Sequence, residues 1–116
     1  MFADPQSVTI NAVATSLPRT SVKDGTAEYT SADGNTKLTI KQNASTSRFR
    51  REVRLSVRKI AADPIAAVNK EVSTSVYLVI DEPRWGFSDT ELDYYKDALV
   101  AWAIDANTNK VLGGEY

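Results

Sequence analysis

Apolar and polar side chains alternate with period 2 along much of the first two-thirds of the chain. Thr36-Lys37-Leu38-Thr39-Ile40-Lys41 shows the pattern, and residues 49–60 and 71–80 extend it in two longer runs rich in Val, Ser, Thr and Tyr. Such alternation predicts half-buried β-strands. A strand also begins near Val8-Thr9-Ile10, although its pattern blurs by Val13. Ala27-Glu28-Tyr29-Thr30 reads as a short strand between two turn signals, Lys23-Asp24-Gly25 and Ala32-Asp33-Gly34-Asn35. The stretch 17–22 is a weaker candidate, because Pro18 fits only an edge. Residues 43–47 are polar and read as a loop, and 61–70 as a longer connection. These links are too short for helical crossovers, so the strands are expected to form an antiparallel meander.

The period changes after Asp81-Glu82-Pro83. Ser88-Asp89-Thr90-Glu91 has the form of a capping box, with Phe87 and Leu92 placed as a hydrophobic staple. Leu92, Tyr95, Leu99, Trp102, Ala103 and Ala106 then recur at spacings of three and four, one stripe of an amphipathic helix. The residues from Asn107 to Asn109 are expected to end it, and Lys110-Val111-Leu112 to add a short turn before Gly113-Gly114. The predicted class is α+β, one domain over residues 1–116: an N-terminal β-hairpin and meander sheet (1–82), then one long and one short C-terminal helix (88–116). A helix of ~18 residues is about 27 Å long and covers only part of such a sheet. The apolar side chains of the long strands therefore call for a second chain.

Composition narrows the function. The 116 residues include no cysteine and no histidine. Disulfides, thiol nucleophiles, His-based triads and the usual zinc sites are thereby excluded, and no catalytic residue, metal site or cofactor is expected. Asp89, Asp93 and Asp97 share one helix face but lack convergent partners for a metal. Asp81 and Glu82, as strand neighbours, point to opposite faces and cannot flank one scissile bond. A small carboxylate enzyme is the least favoured reading. No apolar run reaches membrane-spanning length, and no secretory leader is expected from the N-terminus.

Charge is segregated although the net charge is only −1. Between Lys37 and Lys59 eight basic residues stand against one acid, Glu52, whereas between Asp81 and Asp105 seven acids stand against two bases. Splitting the strands by alternation sharpens this. Leu38 and Ile40, then Phe49, Val53, Leu55 and Val57, then Val72, Val76, Leu78 and Ile80 fall on one set of faces. Lys37, Thr39 and Lys41, then Arg48, Arg50, Arg54, Ser56 and Arg58, then Ser73, Ser75, Tyr77 and Val79 fall on the other. If the strands are neighbours, Lys37, Lys41, Arg50, Arg54 and Arg58 merge into one surface, with Glu52 its only acid. Cations neutralise phosphates, hydroxyls bond phosphate, sugar or base edges, and Tyr77 offers a ring for an unpaired base. The alternatives are a solvated antiparallel face and a one-residue slip that exchanges Tyr77 for Val76.

In the order of its elements the chain resembles the coat proteins of the single-stranded RNA bacteriophages, the leviviruses. The resemblance rests on the hairpin from Val8-Thr9-Ile10, on residues 36–41, and on Ser47-Arg48-Phe49-Arg50-Arg51-Glu52-Val53-Arg54-Leu55. It continues in Ser75-Val76-Tyr77-Leu78-Val79-Ile80, in Phe87 to Leu92 with the helix after it, and in the terminal Tyr116. It implies an intertwined homodimer, with sheets joined edge to edge and each helix over the partner's sheet. It also implies an icosahedral shell, typically T=3, packaging single-stranded genomic RNA in a virion assembled in the bacterial cytoplasm. An operator stem-loop, whose binding represses replicase translation, would contact Lys37, Thr39, Lys41, Asn43, Arg54, Ser56, Ser73, Ser75 and Tyr77. Arg50 and Arg58 join that set on charge and register. Leu92, Tyr95, Leu99 and Trp102 are the expected dimer contacts. The segment 107–116 is shorter than the family's usual second helix, and the cysteines that some members carry between the last two strands are absent. The alternative function is a cellular RNA-binding sheet module that builds no shell.

Overall fold

The computed structural model describes residues 1–116 and divides into two compact units, Met1–Glu82 and Pro83–Tyr116. The first unit is all β. Strands β1 (Gln6–Ile10) and β2 (Val13–Leu17) form a two-stranded hairpin. Strands β3 (Arg19–Lys23), β4 (Thr26–Thr30), β5 (Thr36–Ala44), β6 (Arg48–Ala62) and β7 (Asn69–Pro83) form a five-stranded sheet in sequence order. The second unit holds α1 (Asp89–Trp102) and α2 (Asp105–Leu112). The α+β class, the hairpin, the meander and the long and short helices are all as the sequence predicts.

The boundaries have physical causes. Pro18 separates β2 from β3: it lacks an N–H, but its carbonyl accepts a 2.9 Å bond from the Thr30 amide. The β3–β4 turn uses Gly25 at φ +72°, and the link from β4 to β5 uses Gly34 at φ +74°. In that second turn the Asp33 carboxylate accepts from the Ser31 hydroxyl and the Asn35 amide, which lowers its pKa below the ordinary carboxylate value. The β1–β2 turn is less legible, because Asn11 and Ala12 take φ of +48° and +64° without a glycine. The polar loop expected at 43–47 is shorter, because β5 runs to Ala44 and Asn43 pairs with Arg50. The connection expected at 61–70 likewise shrinks to residues 63–68.

Ser88 is the N-cap of α1, and its hydroxyl accepts from the Glu91 amide at 3.2 Å. Phe87 meets Tyr95 edge to face, with ring centroids 6.2 Å apart. The single stripe drawn through Ala103 and Ala106 is interrupted, however. Helix α1 stops at Trp102, Ile104 is extended at ψ 163°, and α2 restarts at Asp105. The polar side chains from Asn107 onward, expected to end the helix, lie inside α2. Two of them bond the carbonyls freed by the break: the Asn107 amide donates to the Trp102 carbonyl at 2.7 Å, and the Thr108 hydroxyl to that of Ala103 at 3.4 Å.

The buried apolar core of the chain is small. Only Leu17 and Tyr29 among the hydrophobic residues are fully enclosed. Neither helix has a buried residue.

Candidate nucleic-acid interface

Cross-strand register assembles the two sheet faces. Lys37 pairs with Ser56, Thr39 with Arg54, Lys41 with Glu52 and Asn43 with Arg50. Paired residues share a face, so these eight side chains lie together. Strand β4 adds Thr26 opposite Lys41, Glu28 opposite Thr39 and Thr30 opposite Lys37, and β3 adds Lys23 opposite Thr26. On the reverse face run the rows Val22–Ala27–Ile40–Val53 and Tyr29–Leu38–Leu55.

Side-chain contacts carry the polar face onto β7. The Arg54 guanidinium lies over the Tyr77 ring, 4.4 Å from its centroid. Arg48 pairs with Asp81 at 2.8 Å, and Arg58 with Glu71 at 3.3 Å. Tyr77, not Val76, therefore shares the side of Arg54, and alternation places Ser73 and Ser75 with it. Lys37, Thr39, Lys41, Asn43, Arg50, Arg54, Ser56, Arg58, Ser73, Ser75 and Tyr77 thus occupy one face.

The face is less purely basic than its segments imply. Glu52 is not its only acid: Glu28, Glu71 and Asp81 join it from other strands. Two classes of cation result. Arg48, Arg54 and Arg58 are each bonded to a carboxylate, Arg54 through both Nε and Nη2 to Glu52 at 3.0 and 2.7 Å. Lys23, Lys37, Lys41 and Arg50 form no ion pair. At the β5–β6 end, Asn43, Ser45, Arg48, Arg50 and Asp81 line a cleft of about 310 Å³.

Arg51 lies on the apolar side opposite Gln42. It donates to the buried Glu82 carboxylate at 2.6 and 2.9 Å and to Gln42 at 3.0 Å, with its guanidinium over Phe49. No sequence period signals this pair, because Arg51 breaks the alternation of its own strand.

In the second unit the expected contact stripe is open to solvent: Tyr95 and Leu99 are each 57% exposed and Trp102 55%. Leu92 is partly covered. No group of three or more Asp or Glu side chains converges to hold a metal.

No protein-family model matches the sequence, and no curated protein matches it. Solved structures do. The virus-like particle of bacteriophage AVE019 superposes with a TM-score of 0.82 at 10% identity, over 98% of this chain and 97% of that one. That of Beihai levi-like virus 21 gives 0.73 at 10% identity, over 100% and 98%. An unassembled bacteriophage coat-protein dimer, described as RNA-binding, gives 0.57 at 16% identity, over 97% and 95%. The chain has the levivirus coat-protein fold along essentially its whole length.

Proposed function

We propose that this chain is the coat subunit of a single-stranded RNA bacteriophage. It dimerises, assembles into an icosahedral shell, and holds single-stranded genomic RNA against the face bearing Lys37, Lys41 and Arg50. One observation carries the reading: Lys37, Lys41, Arg48, Arg50, Arg54 and Arg58 collect on one side of the sheet while the apolar rows, with Arg51 held by Glu82, lie on the other, in a chain that encloses almost no core of its own. A partner's α1, with Leu92, Tyr95, Leu99 and Trp102, supplies the cover. The sheet ends in β7, whose outer edge has no neighbouring strand. An open edge of 15 residues is a template for pairing with another chain, here the β7 of the second subunit. The finer role, repression of replicase translation through an operator stem-loop, belongs to the same face, with Thr39, Asn43, Ser56, Ser73 and Ser75 as hydrogen-bonding groups and Tyr77 as the stacking ring.

Electron microscopy of the expressed protein tests the shell. Uniform closed particles containing host RNA are expected; an RNA-free monomer overturns the proposal, and an RNA-binding protein that never closes a shell favours the cellular module. Lys37→Glu with Lys41→Glu tests the face. Packaged RNA, read from the absorbance ratio of purified particles, should fall while dimers persist. Unchanged RNA content means that nucleic acid lies elsewhere.

A further inference from the structure

The basic face has a carboxylate near its centre, and its placement calls for an explanation. The Glu52 side chain is only 16% exposed. It stands opposite Lys41 and between Arg50 and Arg54 on its own strand. A surface selected only for phosphate would carry no acid there, since each carboxylate reduces attraction to a polyanion. Both Glu52 contacts fall on the Nε–Nη2 edge of Arg54 and go to one carboxylate oxygen, Oε1. That edge is one of the two by which an arginine grips phosphate in a bidentate manner. With that edge taken, Arg54 lies over Tyr77, a residue that remains 54% exposed.

We infer that Glu52 is a specificity-determining positioning residue. By occupying the Nε–Nη2 edge of Arg54, it withdraws that edge from phosphate and sets the guanidinium as the backing of a stacking platform, and Tyr77 offers the uncovered side of its ring to an unpaired base. The inference rests on the proposed RNA face and deepens it. Phosphate attraction is left to Lys37, Lys41 and Arg50, and discrimination of unpaired bases from duplex falls to Glu52–Arg54–Tyr77.

The test is a double-mutant cycle on the full-length protein. It uses a labelled single-stranded oligoadenylate and a duplex RNA of equal length, with binding followed by anisotropy over a range of salt. Glu52→Gln keeps an accepting oxygen but removes the charge that holds this edge of Arg54, which should then exchange to the RNA backbone. The single strand should then bind with a log–log salt slope steeper by about 0.7, one more phosphate contact, and the preference for single strand over duplex should shrink. Tyr77→Ala should weaken oligoadenylate binding by about fivefold or more in the parent, the scale of one lost base stack, and by clearly less beside Glu52→Gln. Arg54→Lys keeps the charge without the fork and should weaken the Tyr77 effect in the same way, which guards against a Glu52→Gln chain that folds poorly. Additive effects of Glu52 and Tyr77, with duplex and single strand gaining equally, would show that Glu52 acts only as a negative charge and overturn the inference while leaving the RNA face intact. If the parent binds neither RNA, the RNA face itself falls.

Discussion

Gly25 has a backbone φ of +72°, and a β-carbon added there would lie 2.8 Å from the Gln42 carbonyl oxygen. The Gln42 amide donates to the Gly25 carbonyl at 2.6 Å, so the turn and β5 are drawn together and neither can retreat without losing that bond. Gly25→Ala combines the left-handed penalty with this clash and should destabilise the folded chain by about 2 kcal/mol, read as a lower urea midpoint with unchanged slope. This residue was legible, because Asp-Gly between two alternating runs is a turn signal. Ala12 at φ +64° was not, because alanine carries no such signal. The acids of the polar face were hidden for a different reason. Glu71 and Asp81 lie 13 and 33 residues from the arginines they meet, so a charge count taken segment by segment separates partners that the sheet brings together.

Strands β6 and β7, of 15 residues each, are tied at intervals by Arg48–Asp81, Arg51–Glu82, Arg54 over Tyr77, and Arg58–Glu71. The half-exposed pairs contribute at most about 1 kcal/mol apiece, so they set alignment more than stability. The turn that closes this hairpin is organised by Asp63. Its carboxylate accepts from the Ile65 amide at 2.8 Å, the Ala66 amide at 3.2 Å and the Lys70 ammonium at 3.0 Å. These bonds, the Ile65 amide foremost, hold the Asp63 carboxyl below its ordinary pKa. A depressed carboxylate pKa stabilises the fold above the unfolded-state value, and that contribution is lost as pH falls through the folded value. Amide exchange at Ile65 and Ala66 should therefore rise on acidification below about pH 4, over and above the intrinsic pH trend. Asp63→Asn keeps an accepting oxygen and should abolish most of that excess. An identical acid response in the variant would assign it to another group. At this scale the long strands and the helix start were readable from period and capping. The break at Ala103–Ile104 was not, since no glycine or proline marks it and the bonds that sustain it come from Asn107 and Thr108.

Few of the chain's apolar side chains are enclosed: Leu17 and Tyr29 are, neither helix buries a residue, and Val53, Val72 and Val76 of the long strands stay exposed. Exposed apolar side chains in such number favour association in water. They also explain why the sequence reads as amphipathic in both units while so little is enclosed: in the proposed assembly, its alternation is written for contacts that a second subunit completes. Trp102 provides the sharpest test. It is 55% exposed within its own chain, so its truncation should remove little from the isolated subunit. If the proposed partner's sheet encloses it, Trp102→Ala should cost the dimer about 3–5 kcal/mol, a loss of more than a hundredfold in association constant. Sedimentation at graded concentrations should then show the variant as monomer where the parent is dimer, with its far-ultraviolet circular dichroism, and so its helices, retained. A variant dimer as tight as the parent's would place Trp102 outside the contact and move the burden of cover to Leu92, Tyr95 and Leu99.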